Sequence, residues 1–190
     1  MEHLAAGHTA PLTTVPVEVS TPGDADLAEL ADVAARTFPL ACPASATADN
    51  IAAFIAENLS RDRFGEYLTD PDRAVLVGRD GDRIVGYAIL IRGVGSDADV
   101  QRAVTTEPAV ELSKMYVLPD AHGAGASAAL MTAALGRARE LGAAAVWLGV
   151  NQNNQRAQRF YAKHGFGVAG TKTFRLGEGL ENDYVMVRTL

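Results

Sequence analysis

The residues best suited to chemistry lie in the run His122-Gly123-Ala124-Gly125-Ala126-Ser127. Two glycines among small side chains let backbone N–H groups come close to a ligand. A helix is predicted to begin directly behind them, near Ser127, so its positive end faces the same point. Together these features make a cradle for an anion, with phosphate the natural guest. The P-loop would need a lysine after its last glycine, and Ala126-Ser127 stand there instead. Gly123, Gly125 and Ala128 formally meet the dinucleotide pattern G-x-G-x-x-G/A. That turn leaves its strand almost at once, whereas five residues separate Val117 from Gly123. The acid expected at the end of the next strand is also missing, since WLGV runs into Asn151.

The chain that must position this turn has 190 residues, 48% of them hydrophobic and 21% charged. That suits one soluble domain with a sizeable core. The net charge of −6 argues against a nucleic-acid binder. No apolar run reaches the ~18 residues of a membrane span. The first residues, MEHLAAGHTAPLTT, lack the pattern of a secretory signal, so a cytoplasmic protein is expected. The single cysteine, Cys42, excludes an internal disulfide and reads as packed and inert. Residues 114–164 carry six basic groups against two acidic ones, a net +4, which leaves −10 for the remainder. A basic, phosphate-facing segment in an acidic body suits an anionic cofactor and a cationic second substrate.

Residues 1–14 read as a flexible tail, ahead of a domain spanning 15–190. VPVEVST (15–21) alternates like a half-buried strand. Asp24 or Asp26 can cap a helix whose face is Leu27, Leu30, Ala31, Ala34 and Phe38, with Pro39 ending it. Thr47 caps a second helix, and 61–70 forms a shorter segment. RAVLVGR (73–79) and RIVGYAILIRG (83–93) are strands joined at Asp80-Gly81. Residues 94–109 read as a polar excursion, either a lid or an exposed loop. AVELSKMYV (109–117) is the strand before the glycine turn. A helix over 127–141, an apolar strand over 144–150 and a helix over 153–164 follow. Two strands, about 167–176 and 183–190, close the chain. Only the crossover around 111–150 demands parallel pairing; the hairpins make the rest antiparallel.

The glycine turn resembles the acetyl-CoA-binding turn, Q/R-x-x-G-x-G/A, of the GNAT superfamily of N-acetyltransferases. His122 replaces its Gln/Arg, and Ser127 its final small residue. Asn154-x-x-Ala157-x-x-Phe160-Tyr161-x-x-x-Gly165-Phe166 is similar to a second element of that family, about thirty residues downstream. WLGVNQNNQRAQRFYAKHGF, the tail TFRLGEGLENDYVMVRTL and the segment ending EYLTDP resemble the PaiA-type spermidine/spermine acetyltransferase branch.

The resemblance implies a mixed α/β fold: a twisted, mostly antiparallel sheet of six to seven strands flanked by helices. It implies acetyl transfer from acetyl-CoA to a primary amine by direct attack, without a metal. The acceptor would be a small cationic amine, a polyamine such as spermidine or spermine, or alternatively a peptide, a protein or another small amine. A non-catalytic acyl-CoA-binding module is the rival from another class, and homodimers are frequent in the family. In this reading Glu111 is the candidate base and Tyr161 the acid that protonates the leaving thiolate. His122, Gly123, Ala124, Gly125, Ala126 and Ser127 would hold the pyrophosphate. Backbone groups of Met115, Tyr116 and Val117, with Asn154 and Ala157, would hold the pantetheine arm. Glu66 and Asp70 are weaker candidates for a polyamine's distant cation.

Overall fold

The structure, a computed structural model, describes residues 16–190. The expected tail over 1–14 lies outside the described residues. A seven-stranded sheet forms the body, in the order β1-β2-β3-β4-β5-β7-β6. Its strands are β1 (Glu18–Ser20), β2 (Arg73–Asp80), β3 (Arg83–Arg92), β4 (Ala109–Val117), β5 (Ala145–Asn151), β6 (Gly167–Leu176) and β7 (Gly179–Thr189). Every pairing is antiparallel except that of β4 with β5.

Alternation along the strands divides the core into two faces. In β3, Val85, Ala88 and Leu90 enter one cluster, and Ile84, Tyr87 and Ile89 enter the other. The helices α1 (Leu27–Ala41), α2 (Ala48–Asn58) and α3 (Arg61–Thr69) cover the second face, and α5 (Ala126–Glu140) and α6 (Gln155–Lys163) the first. The alanines of α5 let it lie close to the sheet. Its Leu130 Cδ1 would stand 3.0 Å from a Cβ built on Gly86, which would also meet the Tyr116 carbonyl at 2.8 Å.

Four expectations need correction. Pro39 does not end α1, which runs on to Ala41. Proline removes one backbone donor, and a tight Cys42 N–H bond to the Pro39 carbonyl (3.3 Å) closes the last turn. The hairpin turn is Gly81-Asp82, with Gly81 at φ +60°, and Asp80 is the last residue of β2. The excursion at 94–109 contains a helix, α4 (Ala98–Ala103), capped by Asp97. It is anchored by buried Val100 and Val104 against Trp147, too short a stretch to show a period. Finally, β7 begins at Gly179 rather than about 183. Gly177, at φ +62°, permits a two-residue turn that pairs Leu176 with Gly179. Glu181 and Asp183 therefore belong to a strand.

Candidate active site

β4 and β5 pair at three positions, Ala109 with Ala145, Val110 with Val146 and Glu111 with Trp147, and then part. Beyond them β4 stays on β3 as far as Val117, and β5 stays on β7 as far as Asn151. The edges facing this gap carry backbone N–H and C=O groups without a neighbouring strand to receive them. A cleft of about 650 Å³ runs through the opening, from the α5 side of the sheet to the α1 side.

A bulge in β4 decides which side chains line it. Ile89 pairs with Lys114 but Leu90 with Leu112, leaving Ser113 as the extra residue. Val110 and Leu112 face the α5 core, and after the bulge Met115 and Val117 do so. Glu111, Lys114 and Tyr116 consequently share the opposite face. Without the bulge, strict alternation from Glu111 would turn Lys114 and Tyr116 into the α5 core.

Glu111, Met115, Tyr116 and Val117 all line the cleft from β4. Burial raises the Glu111 carboxyl above its ordinary range, and the cations of Lys114, Lys172 and Arg73 partly oppose that shift. A carboxylate held this way is a stronger base than one in water. The Tyr116 ring stands edge-on to Phe38 (6.3 Å) and Tyr87 (5.9 Å), and burial raises its hydroxyl. Tyr161 lines the cleft from α6, wedged against Phe160 (5.6 Å) and Phe166 (5.9 Å). Burial pushes its phenol up to about 12, so it stays a proton donor at neutral pH. Asn154 Oδ1 accepts from the Ala157 N–H at 3.1 Å, capping α6, and both residues line the cleft.

The glycine turn stands where the cleft meets the start of α5. Gly123 (φ +83°) and Gly125 (φ +81°) adopt backbone that L side chains avoid, and a Cβ on either would meet nothing within 4 Å. Ala129 N–H bonds the Gly125 carbonyl at 3.0 Å. The amides of Ala126, Ser127 and Ala128 precede it, in the first turn, where a helix has no internal acceptor to give them. The exposed Gly123-Ala124-Gly125 is flanked by His122 and Ser127, both in the cleft wall. His122 Nε2 lies 3.1 Å from the Val117 carbonyl, and its Nδ1 lies 3.3 Å from an Arg156 Nη. Those partners select the tautomer with the proton on Nε2 and tie the turn to the end of β4. Open space, free amides, a helix N-terminus and Arg156 suit a pyrophosphate.

The other end of the cleft holds side chains that sequence reasoning did not single out. Lys114 Nζ donates to the Ser113 carbonyl at 3.1 Å and sits 5.5 Å from the Phe54 ring centre. Lys172 and Asp183 are opposed across β6 and β7. Both abut Gly149: a Cβ there would lie 3.2 Å from Asp183 Oδ2 and 3.9 Å from Lys172 Nζ. Burial lowers the Lys114 ammonium's pKa and raises that of the Asp183 carboxyl. Glu181 accepts from Ser45 Oγ at 2.6 Å. Cys42 also borders the cleft; its Sγ donates to the Phe38 carbonyl, and burial raises the thiol, as an inert cysteine requires.

Glu66 and Asp70 are not in this site. Glu66 pairs with Arg63 at 2.7 Å on the solvent side of α3. Asp70 receives Asp72 N–H at 2.9 Å and pairs with Arg73 at 3.2 Å, closing the turn into β2. Both carboxylates are occupied locally, which explains their charge pattern without a ligand.

Residues 30–166 match the acetyltransferase (GNAT) family. This chain belongs to the GNAT acetyltransferase family. It is 60% identical over 167 residues to an uncharacterized N-acetyltransferase of Mycobacterium tuberculosis, covering 88% of this chain and 98% of that one. Among solved structures, it is similar to the PaiA N-acetyltransferase of Thermoplasma acidophilum in complex with coenzyme A. That likeness has a TM-score of 0.71 at 19% identity, over 93% of this chain and 100% of the other. The ribosomal-protein-S18-alanine N-acetyltransferase of Escherichia coli is similar with a TM-score of 0.63 at 18% identity, over 91% and 93% of the two chains. The chain is thus an N-acetyltransferase of GNAT type, and the mixed sheet expected from the sequence is the GNAT sheet with seven strands. Among the described residues no helix is long and apolar enough to cross a membrane.

Proposed function

We propose that this GNAT enzyme transfers an acetyl group from acetyl-CoA to a primary amine within the β4–β5 cleft. The observation that carries the reading is the splay itself. It joins an anion cradle at one end to Glu111 and Tyr161 on its two walls. The amides at the start of α5, with Arg156, hold the pyrophosphate. The unpaired edge of β4 at Met115–Val117 holds the pantetheine amides, and Asn154 and Ala157 border the same arm. Bound acetyl-CoA supplies an acetyl group activated as a thioester.

The chain's own groups then manage two protons. Glu111 takes one from the acceptor ammonium, directly or through a water, because only the neutral amine has a lone pair to attack the carbonyl carbon. As the C–N bond forms and the C–S bond breaks, the Tyr161 phenol gives its proton to the departing sulfur. The phenolate so formed recovers a proton as the acceptor nitrogen sheds its second. Burial serves both roles, since it strengthens Glu111 as a base and keeps Tyr161 protonated.

A polyamine acceptor draws on the acids Glu111, Glu181 and Asp183 in the cleft. It loses support from Glu66 and Asp70, which lie elsewhere, and from two lysines in the same wall. A thiol-release assay on purified protein with acetyl-CoA and a panel of primary amines tests the proposal. Amine-dependent release of coenzyme A is expected. Coenzyme A binding with no amine accepted would return the protein to the rival reading of a non-catalytic acyl-CoA module.

A further inference from the structure

The acceptor end of the cleft carries both signs of charge, and of its acids Glu181 is already held, by Ser45 Oγ at 2.6 Å and Asn151 Nδ2 at 3.4 Å. Glu111 and Lys114 come from β4, Lys172 from β6 and Asp183 from β7. None of these four belongs to an ion pair among the described residues. Lys172 and Asp183 flank the same point over Gly149, yet they remain apart. These groups partly offset one another's charge across the cleft, but none touches another, so a ligand of matching charges can contact each of them directly. Arg73 differs: it is engaged by Asp70 and lies over the Tyr67 ring at 4.5 Å.

Glu111 and Lys172 also line a second cavity, of about 270 Å³, on the far side of the main cleft. Its other walls include Ile91, Val94 and Trp147, whose indole N–H bonds the Gly93 carbonyl at 3.0 Å. The two shared residues make this cavity a continuation of the acceptor end. With Arg92, Ser96 and Asp97 also in its wall, it gives an acceptor room for a small body of mixed polarity beyond the reacting amine.

A ligand that is cationic throughout would satisfy Glu111 and Asp183 but press its distant ammonium against Lys114 and Lys172. A ligand with one ammonium and one carboxylate satisfies all four groups. We infer that the acceptor is an amine that also carries a carboxylate, an amino-acid-like zwitterion. Its ammonium sits by Glu111 and Asp183, its carboxylate by Lys172 and Lys114, and its body reaches toward Trp147. This assignment rests on the acetyl-transfer reading above and names the acceptor class within it. Glycine at 149 leaves the space over the sheet where both charges meet the ligand, because a side chain there would stand in contact with Asp183 Oδ2.

The test uses amines matched in pairs that differ by the carboxylate: leucine against isoamylamine, phenylalanine against phenethylamine, with spermidine as a wholly cationic control. Thiol release is measured for the wild type, Lys172→Met and Lys172→Arg. The carboxylated member of each pair is expected to have at least tenfold higher kcat/KM in the wild type. Lys172→Met should level the pairs by raising KM for the amino acids, and Lys172→Arg should keep most of the preference. Equal or better use of isoamylamine, phenethylamine or spermidine by the wild type overturns the inference, as does a preference that survives Lys172→Met. Coenzyme A thermal shifts on the same samples separate two failures. Protein that binds coenzyme A but accepts none of the amino acids refutes the acceptor class alone. Protein that does not bind coenzyme A refutes the acetyl-transfer reading beneath it.

Discussion

Replacing Glu111 by glutamine should remove the base while keeping the shape of the cleft. An alkylamine with a pKa of about 10.4 is neutral in roughly one molecule in 2,500 at pH 7, a cost of about 4–5 kcal/mol. A positioned base recovers typically 10²–10⁴-fold of rate. Glu111 is well placed for it, since burial lifts its carboxyl above the ordinary glutamate range. The expected fall in kcat/KM at pH 7 is therefore about a hundredfold or more. Above pH 7 the loss should shrink by about tenfold per pH unit until it is gone, near pH 9 for a hundredfold loss, because free amine accumulates at that rate and needs no base. In the wild type the acid limb of the pH profile should lie above the ordinary carboxylate range, in the direction of the Glu111 shift, and in the variant it should be replaced by a rise of about tenfold per pH unit that follows the free amine. Glu111 is in no ion pair among the described residues, so the melting temperature should hold. Thiol release across pH 6–10, with saturating acetyl-CoA, is the assay. A fall of less than about threefold, or a loss that does not change with pH, would refute Glu111 as the base.

Tyr161→Phe should lower turnover at least about tenfold while coenzyme A binding by calorimetry stays near wild type; normal turnover would remove the phenol from the acid role. The alkaline limb should not come from Tyr161 below pH 10, as its hydroxyl is pushed up to about 12. Gly86→Ala should destabilise the protein by about 1–3 kcal/mol, read by denaturant melts, because the new methyl meets the Tyr116 carbonyl at 2.8 Å. Unchanged stability there would show that β3 and β4 are less tightly opposed than described. Asn154→Ala should cost about 1 kcal/mol through loss of the α6 cap, together with a weaker affinity for coenzyme A. A stability loss with unchanged affinity would limit Asn154 to capping.

How far the sequence revealed this site depended on the range of the contacts involved. The glycine turn, its helix, and the Asn154–Phe166 element are local, so residue type and spacing were sufficient to find them. Glu111 and Tyr161 came from likeness to a family, and the structure brings both to one cleft. Lys172 and Asp183 were missed because nothing near them in sequence is unusual. They reach the site through the β5–β7–β6 pairing, which no local pattern encodes. Lys114 was missed for a different reason. Strict alternation from Glu111 sends it to the opposite face, and the Ser113 bulge reverses that without a glycine or proline to mark it. Glu66 and Asp70 were proposed from charge alone, which did not distinguish ligand groups from carboxylates already held by Arg63 and Arg73.

The central claim is that the opening between β4 and β5 binds the acyl donor. Thermal unfolding of the purified protein across a coenzyme A titration tests it most directly. At a hundredfold excess over Kd, binding to the folded state alone adds about 2.7 kcal/mol. For a domain of this length that corresponds to a rise of roughly 5–10 °C. The account predicts such a rise, saturating with ligand and reduced in Gly125→Val, whose side chain is strained at φ +81° in the cradle. A melting temperature that stays flat to millimolar coenzyme A would contradict it.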